Sequence, residues 1–152
     1  MAARAFYAEF DDVKGPCVCY DEPRGCLTGD PDGRRIWETY SDYVITGQGE
    51  LDGVVVQVRA GRDGVVCVPV VCQDEQKYAR NALLFSLGVA VSGHSLAAAS
   101  GGVGNALRRL AETLRSMEAE SGVTKGETNP LEARRARLAK VVPGVLRDLR
   151  AA

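Results

Sequence analysis

Phe6, Ala8 and Phe10 alternate with Tyr7 and Glu9, the period-two signature of a half-buried strand. Lys14-Gly15-Pro16 breaks the run and the apolar residues from Cys17 to Tyr20 resume it, so residues 6–20 read as an antiparallel hairpin. The stretch 22–33 is rich in Gly, Pro and Asp and reads as a loop. Ile36, Trp37 and Tyr40 fall on one side of a short helix expected over 34–40. Residues 43–46 are apolar and end at Gly47-Gln48-Gly49. Valine-rich runs at 54–58 and 65–72 are bounded by Asp52-Gly53 and Gly61-Arg62-Asp63-Gly64, a strong hairpin signal.

Residues 73–80, QDEQKYAR, are polar, and residues 82–91 are apolar except for Ser86. Leu83, Phe85, Leu87, Val89 and Val91 make one face bulky; Ala82, Leu84, Ser86, Gly88 and Ala90 make the other mostly small. A strand covered on both faces reads this way, the small face admitting a helix closely. Leu107, Leu110, Leu114 and Met117 recur at helical spacing, with Arg108, Arg109, Glu112 and Arg115 on the wet side and Gly122 as a C-terminal cap. Gly101-Gly102-Val103-Gly104 reads as a flexible lead into that helix; it lacks the lysine and the Ser or Thr of a phosphate-binding loop. Asn129-Pro130-Leu131-Glu132 is a helix start. The apolar stripe of Leu131, Leu138, Val142, Val145 and Leu149 follows, with a kink or break expected at Pro143. The connections between strands are too short for parallel crossovers. The pattern predicts an α+β domain of two or three layers, its sheet mostly antiparallel.

A length of 152 residues suits one domain, assigned to 1–152. The net charge of -1 does not suit a dedicated nucleic-acid binder. Residues 123–152 carry seven basic and three acidic side chains, but no aromatic residues interleave Arg134, Arg135, Arg137 and Lys140 for base stacking. The longest apolar run is half of the ~20 residues a membrane span needs, and residues 1–10 carry no secretory signal. Five cysteines without a CxxC pair, with His94 as the one histidine, do not make a structural zinc site. They read as reduced, packed thiols, and no metal or cofactor is expected. His94 has no marked nucleophile or carboxylate beside it in sequence, so a surface-loop histidine is the simpler reading.

Arg80 closes the polar loop just ahead of the apolar strand. A loop arginine is ordinarily solvated. On a firmly anchored loop, its planar, always-charged guanidinium can instead enter another protein's site and neutralise charge on a transferring phosphoryl group.

The segment KYARNALLFSLG, residues 77–88, closely resembles the signature of the nitrogen permease regulator 2-like family in its N-terminal longin domain. FYAEFDDVKGPCVCY (6–20), DYVIT (42–46), VCVPVVC (66–72) and LRRLAETLRSMEAES (107–121) resemble further pieces of that family in the same order. The resemblance implies a longin (roadblock-like) fold, a five-stranded antiparallel sheet packed by helices, forming the N-terminal piece of a longer protein. It also implies a subunit of the cytosolic complex that acts on Rag-type small GTPases at the lysosome or vacuole and restrains the target-of-rapamycin kinase. The implied partner is the nitrogen permease regulator 3-like protein, joined through longin pairing. Such a subunit is a GTPase activator without catalysis of its own, and it enters no membrane. The family's arginine finger falls on Arg80; Lys77, Tyr78 and Asn81 flank it as candidate supports of the loop. Trp37 and Tyr40 are candidate partner contacts, with burial in the domain's own core as the competing reading. The alternatives are a non-catalytic longin pairing module and a folliculin-type longin regulator, and the 77–88 segment speaks against the latter.

Overall fold

In the computed structural model, residues 3–11, 14–44, 52–60, 63–73, 82–92, 95–120 and 130–151 are described. Strands β1 (Arg4–Asp11) and β2 (Gly15–Glu22) form the first hairpin. Its register shifts between Tyr7 and Ala8: Tyr7 faces Tyr20, Ala8 faces Val18, and Cys19 is bulged out. Helix α1 (Pro31–Val44) follows, then strands β3 (Val56–Ala60), β4 (Asp63–Gln73) and β5 (Ala82–Ser92). Helices α2 (Ser95–Glu120) and α3 (Pro130–Ala151) complete the order. The sheet runs β2-β1-β5-β4-β3, with every neighbouring pair antiparallel. This is an α+β, longin-like architecture.

The alternation along each strand decides which helix covers which face. Tyr7, Phe85, Leu87, Val89, Val66 and Val68 point to one side, where they bury Leu107 and Leu114 of α2 and Val142, Leu146 and Leu149 of α3. Phe6, Ala8, Val65, Cys67 and Ala90 point to the other and bury Leu27 together with Ile36, Tyr40 and Val44 of α1. The small face of β5 serves a side chain rather than a helix backbone. Gly88 pairs with Phe6 across the sheet, and a Cβ on it would come within 2.5 Å of the Phe6 ring and 2.8 Å of the Cys67 Cβ.

Three helix boundaries differ from the sequence reading. Helix α1 has 14 residues instead of seven or so, because Asp30 caps it: its carboxylate accepts the Gly33 N–H at 2.9 Å and its carbonyl the Arg34 N–H at 2.8 Å. Pro31 then takes the first helical position, where its missing N–H costs nothing. Helix α2 starts at Ser95, so Gly101, Gly102 and Gly104 lie inside it rather than leading into it. Helix α3 starts at Pro130 as expected but runs unbroken past Pro143. Leu138 and Val142 before the proline and Val145, Leu146 and Leu149 after it are buried on the same sheet face, which holds both halves in one line.

Gly102 and Gly104, inside α2, carry a helix-propensity cost without a steric role. A Cβ on Gly102 would meet nothing within 4 Å, and one on Gly104 would rest against Val55 Cγ1 at 3.8 Å, an ordinary contact. Each change to alanine should stabilise the chain by about 0.5–1 kcal/mol. In thermal denaturation that corresponds to a rise of about 1–4 °C. A fall in Tm for either variant would show that the helix needs the close approach that glycine permits.

Candidate functional site

Strands β4 and β5 pair along their whole length, from Asp63 opposite Ser92 to Gln73 opposite Ala82. Residues 74–81 join these paired ends. Lys77, Tyr78, Arg80 and Asn81 fall in that segment and lie outside the described residues, as does His94. What the structure does describe is the frame on which the segment is mounted. Strand β5 is flanked on both sides by β1 and β4, and Phe85, Leu87 and Val89 are buried. The segment ends on Ala82, which pairs with Gln73 of β4, and the doubly flanked, buried stretch of β5 begins three residues further on at Phe85.

The β4 side of the mount is less regular. Strand β3 accompanies β4 only from Asp63 to Cys67. Beyond Cys67, the edge of β4 that faced β3 is satisfied differently. The Gly53 N–H donates to the Pro69 carbonyl at 2.8 Å. The Val71 N–H donates to Asp52 Oδ1 at 2.9 Å, and the Val71 carbonyl accepts from Arg115 Nη1 at 3.1 Å. Asp52 and Arg115 are themselves paired, Nη2 to Oδ1 at 2.7 Å and Nη1 to Oδ2 at 3.3 Å. Glu112 Oε1 accepts from Arg115 Nε at 3.1 Å. Gly53 turns the chain into this position with φ +75°. Pro69 is tolerated inside a sheet because its missing N–H falls on the edge that β3 has left.

Partial burial by itself would raise the Asp52 pKa, but the Arg115 guanidinium and the Val71 N–H outweigh it and hold the carboxyl below its ordinary value. Arg115 is pushed upward chiefly by the Asp52 hydrogen bond, against the opposing effect of its own desolvation. Both groups are therefore charged at neutral pH. The pair stays intact until acid takes the pH through the lowered Asp52 value.

Helix α1 carries the two aromatic residues considered for partner contact, and it treats them differently. Tyr40 is 2% exposed, and its hydroxyl donates to the Asp63 carbonyl at 3.0 Å. Its ring belongs to the layer between α1 and the sheet, so no partner reaches it. Trp37 is half-buried, packed edge-on against Phe6 with ring centroids 5.5 Å apart. Tyr43 is 57% exposed on the same helix.

None of the five cysteines forms a disulfide. Burial, reinforced by the nearby Asp21 carboxylate, pushes the Cys26 thiol up to about 11; burial pushes Cys67 to about 12. Neither offers a thiolate near neutral pH. Among the described residues no group of three or more His, Cys, Asp or Glu side chains could hold a metal, and no helix is long and apolar enough to cross a membrane. A groove of about 370 Å³ lies between β2 and α3, lined by Cys19, Tyr20, Asp21, Glu22, Arg24, Pro143 and Leu146. The Asp21 carboxylate in it is occupied by the N–H groups of Gly25 at 2.7 Å and Leu27 at 3.0 Å.

Sequence reasoning passed over Asp52 and Arg115. Asp52 read as turn chemistry and Arg115 as a solvated helix face. They are 63 positions apart, and nothing local links them. The one available hint was Pro69 in the middle of a valine-rich strand, which signals an edge without a regular neighbour.

The family model described as Nitrogen permease regulator 2 matches residues 2–147. The GATOR complex protein NPRL2 of Drosophila melanogaster is 30% identical over 144 residues, which is 95% of this chain and 32% of that protein. The chain thus spans 32% of the length of that curated relative.

Proposed function

The chain belongs to the nitrogen permease regulator 2 family, and from that membership we propose that it serves as a GATOR-type subunit that stimulates GTP hydrolysis by a Rag-type small GTPase. Arg80 is its arginine finger. The observation that carries the reading is that Arg80 stands two residues before Ala82, where β5 begins paired to Gln73 of β4, three residues ahead of Phe85, from which β1 joins on its other side. The KYARNALLFSLG segment supports it, and so does the relative whose name places it in the GATOR complex. In this reading the nucleotide and its magnesium are held by the GTPase. This chain supplies one guanidinium, whose fixed charge and forked donors stabilise the negative charge spread over the transferring phosphoryl oxygens. Lys77, Tyr78 and Asn81 support the segment. The complex acts at the lysosomal or vacuolar surface and restrains target-of-rapamycin signalling when amino acids are scarce. The test is single-turnover GTP hydrolysis by the Rag protein with the assembled complex, comparing Arg80, Arg80→Ala and Arg80→Lys.

The reading includes a partner, the nitrogen permease regulator 3-like protein, joined through longin pairing. Helix α1 supports this with Tyr43 exposed and Trp37 only half-buried, while Tyr40 is committed to the domain's own packing. Analytical ultracentrifugation of this chain with the N-terminal domain of that partner should give a single heterodimer boundary. Two independently sedimenting monomers would remove longin pairing from the account.

A further inference from the structure

We propose that Asp52 and Arg115 are positioning residues for the Arg80-bearing segment, acting as a side-chain clamp on the exit of β4 beyond the last residue that β3 pairs. The inference rests on the reading of Arg80 as a finger and adds to it the device that aims it.

Strand β4 continues six residues beyond Cys67, the last that β3 pairs. An unpaired strand end exposes its N–H and C=O groups and frays at little cost. Here both peptide groups of Val71 that face the vacated edge are taken, the N–H by Asp52 and the carbonyl by Arg115. Since those two side chains also pair with each other, the three parts close a ring. Val71 stands two residues from the end of β4, directly upstream of residues 74–81. Arg115 rises from α2, whose Leu107, Ala111 and Leu114 are buried against the sheet. The clamp therefore refers the exit of β4 to a packed helix. The other end of the segment is referred to β5.

The competing account is a brace that matters only for stability. The pair is about 30% exposed, 28% for Arg115 and 33% for Asp52. A pair this wet contributes at most about 1 kcal/mol. Its loss would leave nearly all molecules folded. Geometry at a reacting centre is far less forgiving, and a misplacement of ~1 Å can cost ~10²-fold in rate. A clear rate defect in a chain that still melts normally would thus be beyond the reach of a stability brace.

The experiment uses the assembled complex. Asp52→Ala and Arg115→Ala are compared with Asp52→Asn, which keeps an acceptor for the Val71 N–H, and with Arg80→Ala. Three quantities are read: the single-turnover hydrolysis rate at saturating GTPase, the affinity of the complex for the GTPase, and amide hydrogen exchange over residues 69–81. The alanine variants should exchange faster across 71–81 and hydrolyse about 10–100-fold more slowly, with affinity and assembly unchanged. Asp52→Asn should fall between them and the unmodified chain. If either alanine variant fails to assemble, Asp52→Asn alone must show both changes. Hydrolysis at the unmodified rate, or slowed hydrolysis with unchanged exchange over 71–81, would overturn the proposal. Loss of stimulation in Arg80→Ala with normal rates in the clamp variants keeps the finger and removes the clamp. Normal stimulation in Arg80→Ala with slow clamp variants removes the finger and keeps the clamp as the aiming device for another group of that segment.

Discussion

Arg80→Ala should lower the GTP hydrolysis stimulated by the assembled complex by about 10³–10⁵-fold, the full contribution of an arginine supplied in trans. The size follows from what the side chain replaces. In the GTPase alone, the charge building on the phosphoryl oxygens is met by water, which must reorganise as the reaction proceeds. In the proposed role, a guanidinium supplied by the neighbouring chain is oriented ahead of the reaction and acts where water is excluded. Arg80→Lys keeps the charge but loses the planar fork, so it should recover little of the stimulation. Assembly and melting temperature should be unchanged in both variants, since Arg80 falls in the connection between two strands rather than in the described core. Full stimulation by the alanine variant would take Arg80 out of the chemistry.

The second large effect is structural. Gly33→Ala should destabilise the domain by about 3 kcal/mol or more, through overpacking against backbone that cannot step aside. Gly33 lies in the first turn of α1, and a Cβ there would overlap the Cys26 carbonyl oxygen and stand 2.7 Å from its carbon and 3.1 Å from Leu27 Cα. These atoms are held from several sides. The Cys26 N–H donates to the Pro23 carbonyl at 2.9 Å, Asp21 gathers the N–H groups of Gly25 and Leu27, and Leu27 is 1% exposed. Helix α1 would have to lift, loosening Ile36, Tyr40 and Val44 from the sheet. For a chain of this length the fall in Tm should be at least about 6 °C. Gly29→Ala, whose Cβ would come no closer than 3.2 Å to the Gly25 carbonyl oxygen, should do much less harm. A change of less than about 2 °C for Gly33→Ala would mean that the loop yields where it is taken to be rigid.

Much of the architecture is written in local pattern. Alternation at residues 6–20, Asp-Gly punctuation around the valine runs and helical spacing at Leu107, Leu110 and Leu114 yield the element order and the antiparallel sheet. The start of α3 at Pro130 is legible for the same reason, because a cap and an initial proline act within one turn. Asp30-Pro31 carried the same signal for α1 but stood inside a Gly- and Pro-rich stretch that reads as loop. The extra turns of α2 were hidden by Gly101, Gly102 and Gly104, whose low helix propensity reads locally as a break.

The sequence by itself determined which residues alternate, which recur every third or fourth place, and which segment carries the family's motif around Arg80. Those properties rest on neighbours within a few positions, where backbone geometry sets the period. Only the tertiary structure decided that Tyr40 turns inward to the Asp63 carbonyl, that Phe6 fills the space over Gly88, and that Asp52 and Arg115 meet at Val71. Each depends on residues 19 to 82 positions apart, brought together by burial of two sheet faces and by the need to satisfy every peptide group at an edge.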